Sequence, residues 1–219
     1  MYFQCDSPQI ETVLTHLERL VSDQGGYLHS EAQITEKNQE LSVFCKPPVQ
    51  RNEKLFFLPE TCLPPVEKFD LTVEGDSLRI SDKDDDLLKS QVSCFEQMIE
   101  LYNLCGKLQG YKETSPWFVL RDHPDLLQAL INGRGKAPKV QKFHSLWEKG
   151  DLDRLLLEGF LGTRGFRLKS RRYEKNIRVL VPFIDFLNHN SICPGFKEGD
   201  DQDGNACLWT FNSQPVSES

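Results

Sequence analysis

The chain has 219 residues, of which 38% are hydrophobic, 27% charged and 10% aromatic, so it holds enough apolar material for a sizeable core and too much for wholesale disorder. A formal net charge of -7 argues against a general nucleic-acid binder, and apolar runs such as Val179-Leu180-Val181-Pro182-Phe183-Ile184 fall far short of a membrane span. The seven cysteines are odd in number and include no CxxC pair, which predicts free thiols in a reducing, cytoplasmic setting rather than a disulfide framework or a closed zinc site.

Ile10, Val13, Leu14, Leu17, Leu20 and Val21 recur at helical spacing and Gly25-Gly26 ends the pattern, predicting an amphipathic helix over 9–22. Leu41–Cys45 and Leu55–Leu58 read as strands on either side of Pro47-Pro48. Leu71-Thr72-Val73 and Leu78-Arg79-Ile80 flank a glycine turn and predict a hairpin. The acidic run Asp82–Asp86 suits a helix start, and Leu88, Val92, Phe95, Ile99 and Tyr102 form one apolar stripe, so a long helix is expected over about 86–108.

Ser115-Pro116 and His123-Pro124 each have the form of a helix start, and the second helix is expected to end near Asn132-Gly133. A last helix begins at Asp151, with Gly162 as its expected stop. Arg167, Lys169, Arg171, Arg172 and Lys175 cluster together and read as a solvated loop. Strand texture returns at Ile177–Phe183 and Cys207–Phe211. This order predicts an α+β fold in which a β-rich body is interrupted by a helical insert, divided as 1–85, 86–150 and 151–219. The strands of Leu41–Ile80 are expected to join Ile177–Phe211 in one body.

Chemistry concentrates where an apolar strand ends in polar residues, at Val181-Pro182-Phe183-Ile184-Asp185-Phe186-Leu187-Asn188-His189-Asn190. By itself this reads first as a capped strand end with one satisfied histidine. A metal site built from Cys193, Cys207, His189 and Asp200, Asp201 and Asp203 has spacings that fit neither a closed zinc site nor a regular calcium loop, so no metal is assigned.

The segment Asp185-x-x-Asn188-His189 resembles the D-x-x-N-H signature of SET-domain protein-lysine methyltransferases, in particular the Rubisco large-subunit methyltransferase-like branch with its helical insert. Thr163-Arg164-Gly165-Phe166 sits where that branch has Ser-Arg-x-Phe. Glu40–Cys45 followed by Pro48-Val49, Glu53, Leu55 and Leu58-Pro59 resembles the opening strand segment of the family, with Ser42 and Cys45 in place of its small residues. The resemblance implies S-adenosyl-L-methionine as cofactor and the lysine side chain of a protein as substrate. It implies that Arg164 pairs with the methionyl carboxylate, that Asn188 and His189 contact the cofactor with Asp185 supporting their turn, and that backbone from Val43 to Cys45 lies near the methionyl end.

In such enzymes the lysine amine is deprotonated by an apolar channel and an adjacent sulfonium, and in-line alignment supplies much of the rate. A tyrosine late in the domain completes the channel; none lies beyond Tyr173 here, so no catalytic residue is assigned. The resemblance therefore carries the expectation of an incomplete domain that binds the cofactor weakly or not at all and transfers no methyl group. It also predicts apolar residues near Phe183, Phe186 and Trp209 that are partly uncovered. The competing reading is a non-catalytic SET-like module that binds protein.

Overall fold

The computed structural model describes residues 1–45, 53–134, 137–186, 196–201 and 203–210. The chain opens with strand β1 (Tyr2–Cys5) and helix α1 (Pro8–Asp23). Ser7 caps α1, its hydroxyl accepting from the Ile10 amide, and Pro8 occupies the first turn, where its missing amide costs nothing. Ile10, Val13, Leu14, Leu17 and Val21 line the buried face of α1, the period-3.6 pattern of the sequence. Gly26 follows because a Cβ there would stand 2.8 Å from the Val21 carbonyl oxygen.

After β2 (Tyr27–Leu28) come β3 (Ala32–Lys37) and β4 (Glu40–Cys45), joined by Asn38 and Gln39, both left-handed as a two-residue hairpin turn demands. Helix α1 is the crossover that sets β1 parallel to β3, giving a sheet ordered β1-β3-β4. Buried Glu36 holds this corner by accepting from the Ser7 and Gln39 amides.

A second sheet runs β10 (Phe196–Asp200), β11 (Ala206–Thr210), β5 (Lys54–Leu58), β2. Two separate hairpins, β6 (Phe69–Glu74) with β7 (Ser77–Lys83) and β8 (Phe166–Lys169) with β9 (Asn176–Val179), complete the β content of the described residues. Between them lie α2 (Lys89–Leu104), α3 (Lys107–Thr114), α4 (Pro116–Val119), α5 (Pro124–Arg134), α6 (Pro138–Glu148) and α7 (Leu152–Arg164). The fold is of the mixed α+β class.

Two apolar cores organise it. The larger takes α1, α2, the sheets and the inner face of α7 through Leu156, Phe160 and Leu161. The smaller gathers Trp117, Leu127, Ile131, Phe143, Leu146 and Leu155 among the later helices. Helix α7 is thus common to both, whereas α2, inside the expected 86–150 insert, packs into the larger core.

Several expectations need correction. The long helix ends at Leu104, because Gly106 turns left-handed and starts α3 on a new axis. Helix α7 runs through Gly162 to Arg164. The basic cluster is solvent-exposed as expected, but Arg167 and Lys169 lie on β8, and the loop with Arg171, Arg172 and Lys175 closes the β8–β9 hairpin, tied down by buried Ser170, whose hydroxyl donates to Glu60, and by a pair between Arg171 and Asp203. The strand expected over Ile177–Phe183 stops at Val179. Its ladder is with β8, and it touches the first 80 residues through one bridge to Pro65, the bond from the Leu180 amide to the Pro64 carbonyl and the contacts of Arg178 with the Glu67 carboxylate. The long-range pairing expected of it is made by β11 against β5. Phe183 and Phe186 are buried rather than uncovered: Phe183 turns inward at a left-handed φ of 65° and meets the Phe56 ring edge-on. Trp209 lies on β11, with its side chain outside the described set.

Among the described residues, no helix is long and apolar enough to cross a membrane.

Candidate functional site

Arg164 is the last residue of α7, where a cation complements the carbonyl end of the helix. Phe160 lies one turn earlier on the same face, and the Arg164 guanidinium sits over its ring at 4.8 Å from the centroid. The Tyr102 ring, from α2, provides a second face at 5.2 Å. The two rings meet edge to face at 5.3 Å and 89°, so the cation lies in a right-angled aromatic corner.

The anion of the site comes from the short 3-10 turn Ile184–Phe186. Left-handed Phe183 starts this turn, and the Asp185 amide donates back to the Val181 carbonyl. Asp185 is thereby carried inward until its side chain is only 7% exposed. One of its oxygens, Oδ2, accepts from Arg164 Nη1 at 2.8 Å and from the Tyr102 hydroxyl at 2.9 Å.

Burial is the largest influence on the Asp185 carboxyl and pushes its pKa up, while Arg164, the Tyr102 hydroxyl and Lys107 pull it down without cancelling that effect. Burial, then the charge of Asp185, raises the Tyr102 phenol well above its ordinary value, so the phenol stays a hydrogen-bond donor. Lys107 stands at the first turn of α3 and pairs with Glu40 of β4 at 3.3 Å.

Asp185 therefore holds the guanidinium through one nitrogen. Arg164 Nε is buried and makes no hydrogen bond among the described residues, yet the side chain keeps 22% of its surface open. A fixed guanidinium with spare donors suits a planar carboxylate.

Of the residues named from the sequence, the structure brings Arg164 and Asp185 into direct contact. Strand β4, which carries Val43 and Cys45, runs beside the 184–186 turn. Val43 is half-buried against the larger core, and Cys45 is described only as part of the β4 backbone. Asn188 and His189 lie outside the described residues. The Asp185 carboxylate, expected only to support the following turn, is the direct partner of Arg164.

Tyr102 and Phe160 were hidden in apolar stripes. The signal for Tyr102 was its hydroxyl, since a tyrosine at a core position needs a polar partner. Next to the turn, Phe166, Val181, Ile184, Ala206 and Cys207 line a narrow apolar crevice with no room for a water molecule. A polar groove of about 450 Å³ lies between β7 and α2, bounded by Arg79, Glu96, Glu100 and Asn103, and none of the candidate cofactor-binding residues lines it. No family model matches the chain, and no curated protein matches it.

Proposed function

We propose that these residues form the cofactor-binding side of a SET-type, S-adenosyl-L-methionine-dependent protein-lysine methyltransferase. The observation that carries this reading is the anchored guanidinium of Arg164, held on one nitrogen by Asp185 and retaining an Nε with no partner among the described residues. Arg164 would hold the methionyl carboxylate of S-adenosylmethionine, with β4 backbone from Val43 to Cys45 alongside. The cofactor would supply an electrophilic methyl group on a sulfonium; the chain would supply orientation and exclusion of water. Supporting residues are in place before any ligand arrives, because Tyr102, Phe160 and Asp185 fix the plane of the guanidinium.

The non-catalytic reading draws on the neighbouring crevice, which has no room for a water molecule, against the roughly 300 Å³ or more typical of ligand pockets. One experiment addresses both. Saturation-transfer NMR with S-adenosylhomocysteine is expected to detect binding that Arg164→Ala weakens about tenfold or more, as loss of a charge-assisted contact would. Labelled methyl transfer to lysine in cell-extract protein then separates enzyme from binding module. No transfer of saturation at millimolar ligand would overturn the proposal.

A further inference from the structure

We propose that Tyr102 is a positioning residue, whose hydroxyl keeps Asp185 on a single nitrogen of Arg164 and so aims the rest of the guanidinium at an incoming carboxylate. The proposal rests on the cofactor-binding function proposed above and adds to it a residue from a different helix.

A buried carboxylate beside an arginine ordinarily takes the guanidinium in the two-pronged mode, with two parallel N–H···O bonds. Here Asp185 Oδ2 takes Arg164 Nη1 at 2.8 Å and the Tyr102 hydroxyl at 2.9 Å. Two donors from different helices thus converge on one oxygen, and together they fix the rotation of the carboxylate about its Cβ–Cγ bond and hold it in the one-nitrogen arrangement. Arg164 Nε remains without a partner among the described residues, although it is buried, and an unmet buried donor is costly unless a ligand fills it.

The Tyr102 ring contributes as well. With Phe160 it forms two walls at 89°, and the guanidinium lies over both, at 5.2 and 4.8 Å. Two aromatic faces and one ion pair leave the fork little freedom to turn. What reaches its open side is best matched by a second planar anion, the carboxylate of an amino-acid-bearing ligand. The phenol remains protonated because burial and the neighbouring Asp185 charge both raise its pKa. Its contribution is therefore steady across neutral pH.

Tyr102→Phe removes the hydroxyl and keeps the ring, so packing and the cation–π contact are retained. Two ligands separate positioning from general loosening: S-adenosylhomocysteine, which has the carboxylate, and 5′-methylthioadenosine, which shares the adenosyl thioether and lacks it. The variant is expected to bind the first about fivefold to tenfold more weakly and the second as the wild type does.

Independently of any ligand, the Arg164 Nε–H signal in ¹⁵N-arginine-labelled protein is expected to be resolved and slow to exchange in the wild type, and broadened in Tyr102→Phe. An unchanged signal together with unchanged affinity for both ligands would leave Tyr102 as packing only and overturn the proposal. If the wild type binds neither ligand, the cofactor-binding function falls, and the Arg164 signal alone decides whether Tyr102 positions the arginine. Should the variant fail to fold, an Arg164 signal in the wild type that exchanges as fast as free arginine would overturn the positioning role.

Discussion

The Tyr102 hydroxyl and the Asp185 carboxylate meet at 2.9 Å across 83 residues of sequence, one from the last turn of α2 and the other from the 3-10 turn after Pro182. That bond joins the helical part of the chain to the segment that bears the D-x-x-N-H resemblance. Arg164, at the end of α7, adds a third element to the same carboxylate oxygen. The site is therefore a junction of three elements distant in sequence.

Asp185→Ala strips both Arg164 Nη1 and the Tyr102 hydroxyl of their acceptor. Breaking a buried pair costs about 3–5 kcal/mol, and the 22% exposure of Arg164 lowers the expectation here to about 2–3 kcal/mol in urea unfolding. Asp185→Asn keeps an acceptor for both donors and is expected to lose less. Equal losses in the two variants would show that charge, not hydrogen bonding, dominates.

The same carboxyl has a definite effect on pH dependence. Asp185 is raised, by burial first, against the pull of Arg164, Tyr102 and Lys107, so the folded state holds this proton more tightly than the unfolded chain. Its contribution to stability falls as pH rises from about 4 through the folded pKa and is flat above it. The stability difference between wild type and Asp185→Asn is expected to shrink across that window; a difference that grows with pH would contradict the raised pKa.

Asp201 has the opposite sign. Burial raises it, but the Asn205 side-chain amide and the backbone amides of Asn205 and Asp203 outweigh burial and hold its pKa below the ordinary carboxylate value. Its contribution is present above that ordinary value and lost as pH falls through the lowered one. Asn205→Ala is expected to cost about 1–2 kcal/mol at pH 7, because the Glu60 amide loses its acceptor too, and to flatten the acid side of the stability profile.

Gln91 is fully buried on α2 and bonds in both directions: its oxygen accepts from the Leu88 amide, and its nitrogen donates to the Glu60 and Leu63 carbonyls. Gln91→Leu has nearly the same volume and leaves those groups unmet. The expected loss is about 2–4 kcal/mol, measured by thermal or urea unfolding. A loss below 1 kcal/mol would indicate that the carbonyls find other donors.

Much of the fold was legible from periodicity, and the failures have specific causes. The α1 stripe, the 69–83 hairpin and strands β4 and β5 follow from local pattern and turn chemistry, which act over a few residues. The break at Gly106 was missed because the apolar stripe continues past it, and a single left-handed glycine outranks periodicity. Strand β1 and the hairpin made from the basic cluster were invisible because their pairing partners are distant or strongly charged. In the site, Arg164 and Asp185 were legible through a resemblance, whereas Tyr102 looked like one more apolar position of α2. Its role depends on a partner 83 residues away, which no local pattern encodes.

The pairing of β5 with β11 has a consequence for synthesis. Strand β5 meets β2 on one edge early, but its other edge must wait for Ala206–Thr210, about 150 residues later. At the usual pace of roughly 5–20 residues per second, the ribosome takes on the order of 10–30 s to deliver that partner. Through that interval the run Leu55-Phe56-Phe57-Leu58 presents an open, apolar strand edge, the kind of surface that pairs with the wrong chain. Slow translation between residues 60 and 205 would lengthen this exposure, so the nascent polypeptide stands to gain most from chaperone cover during that stretch.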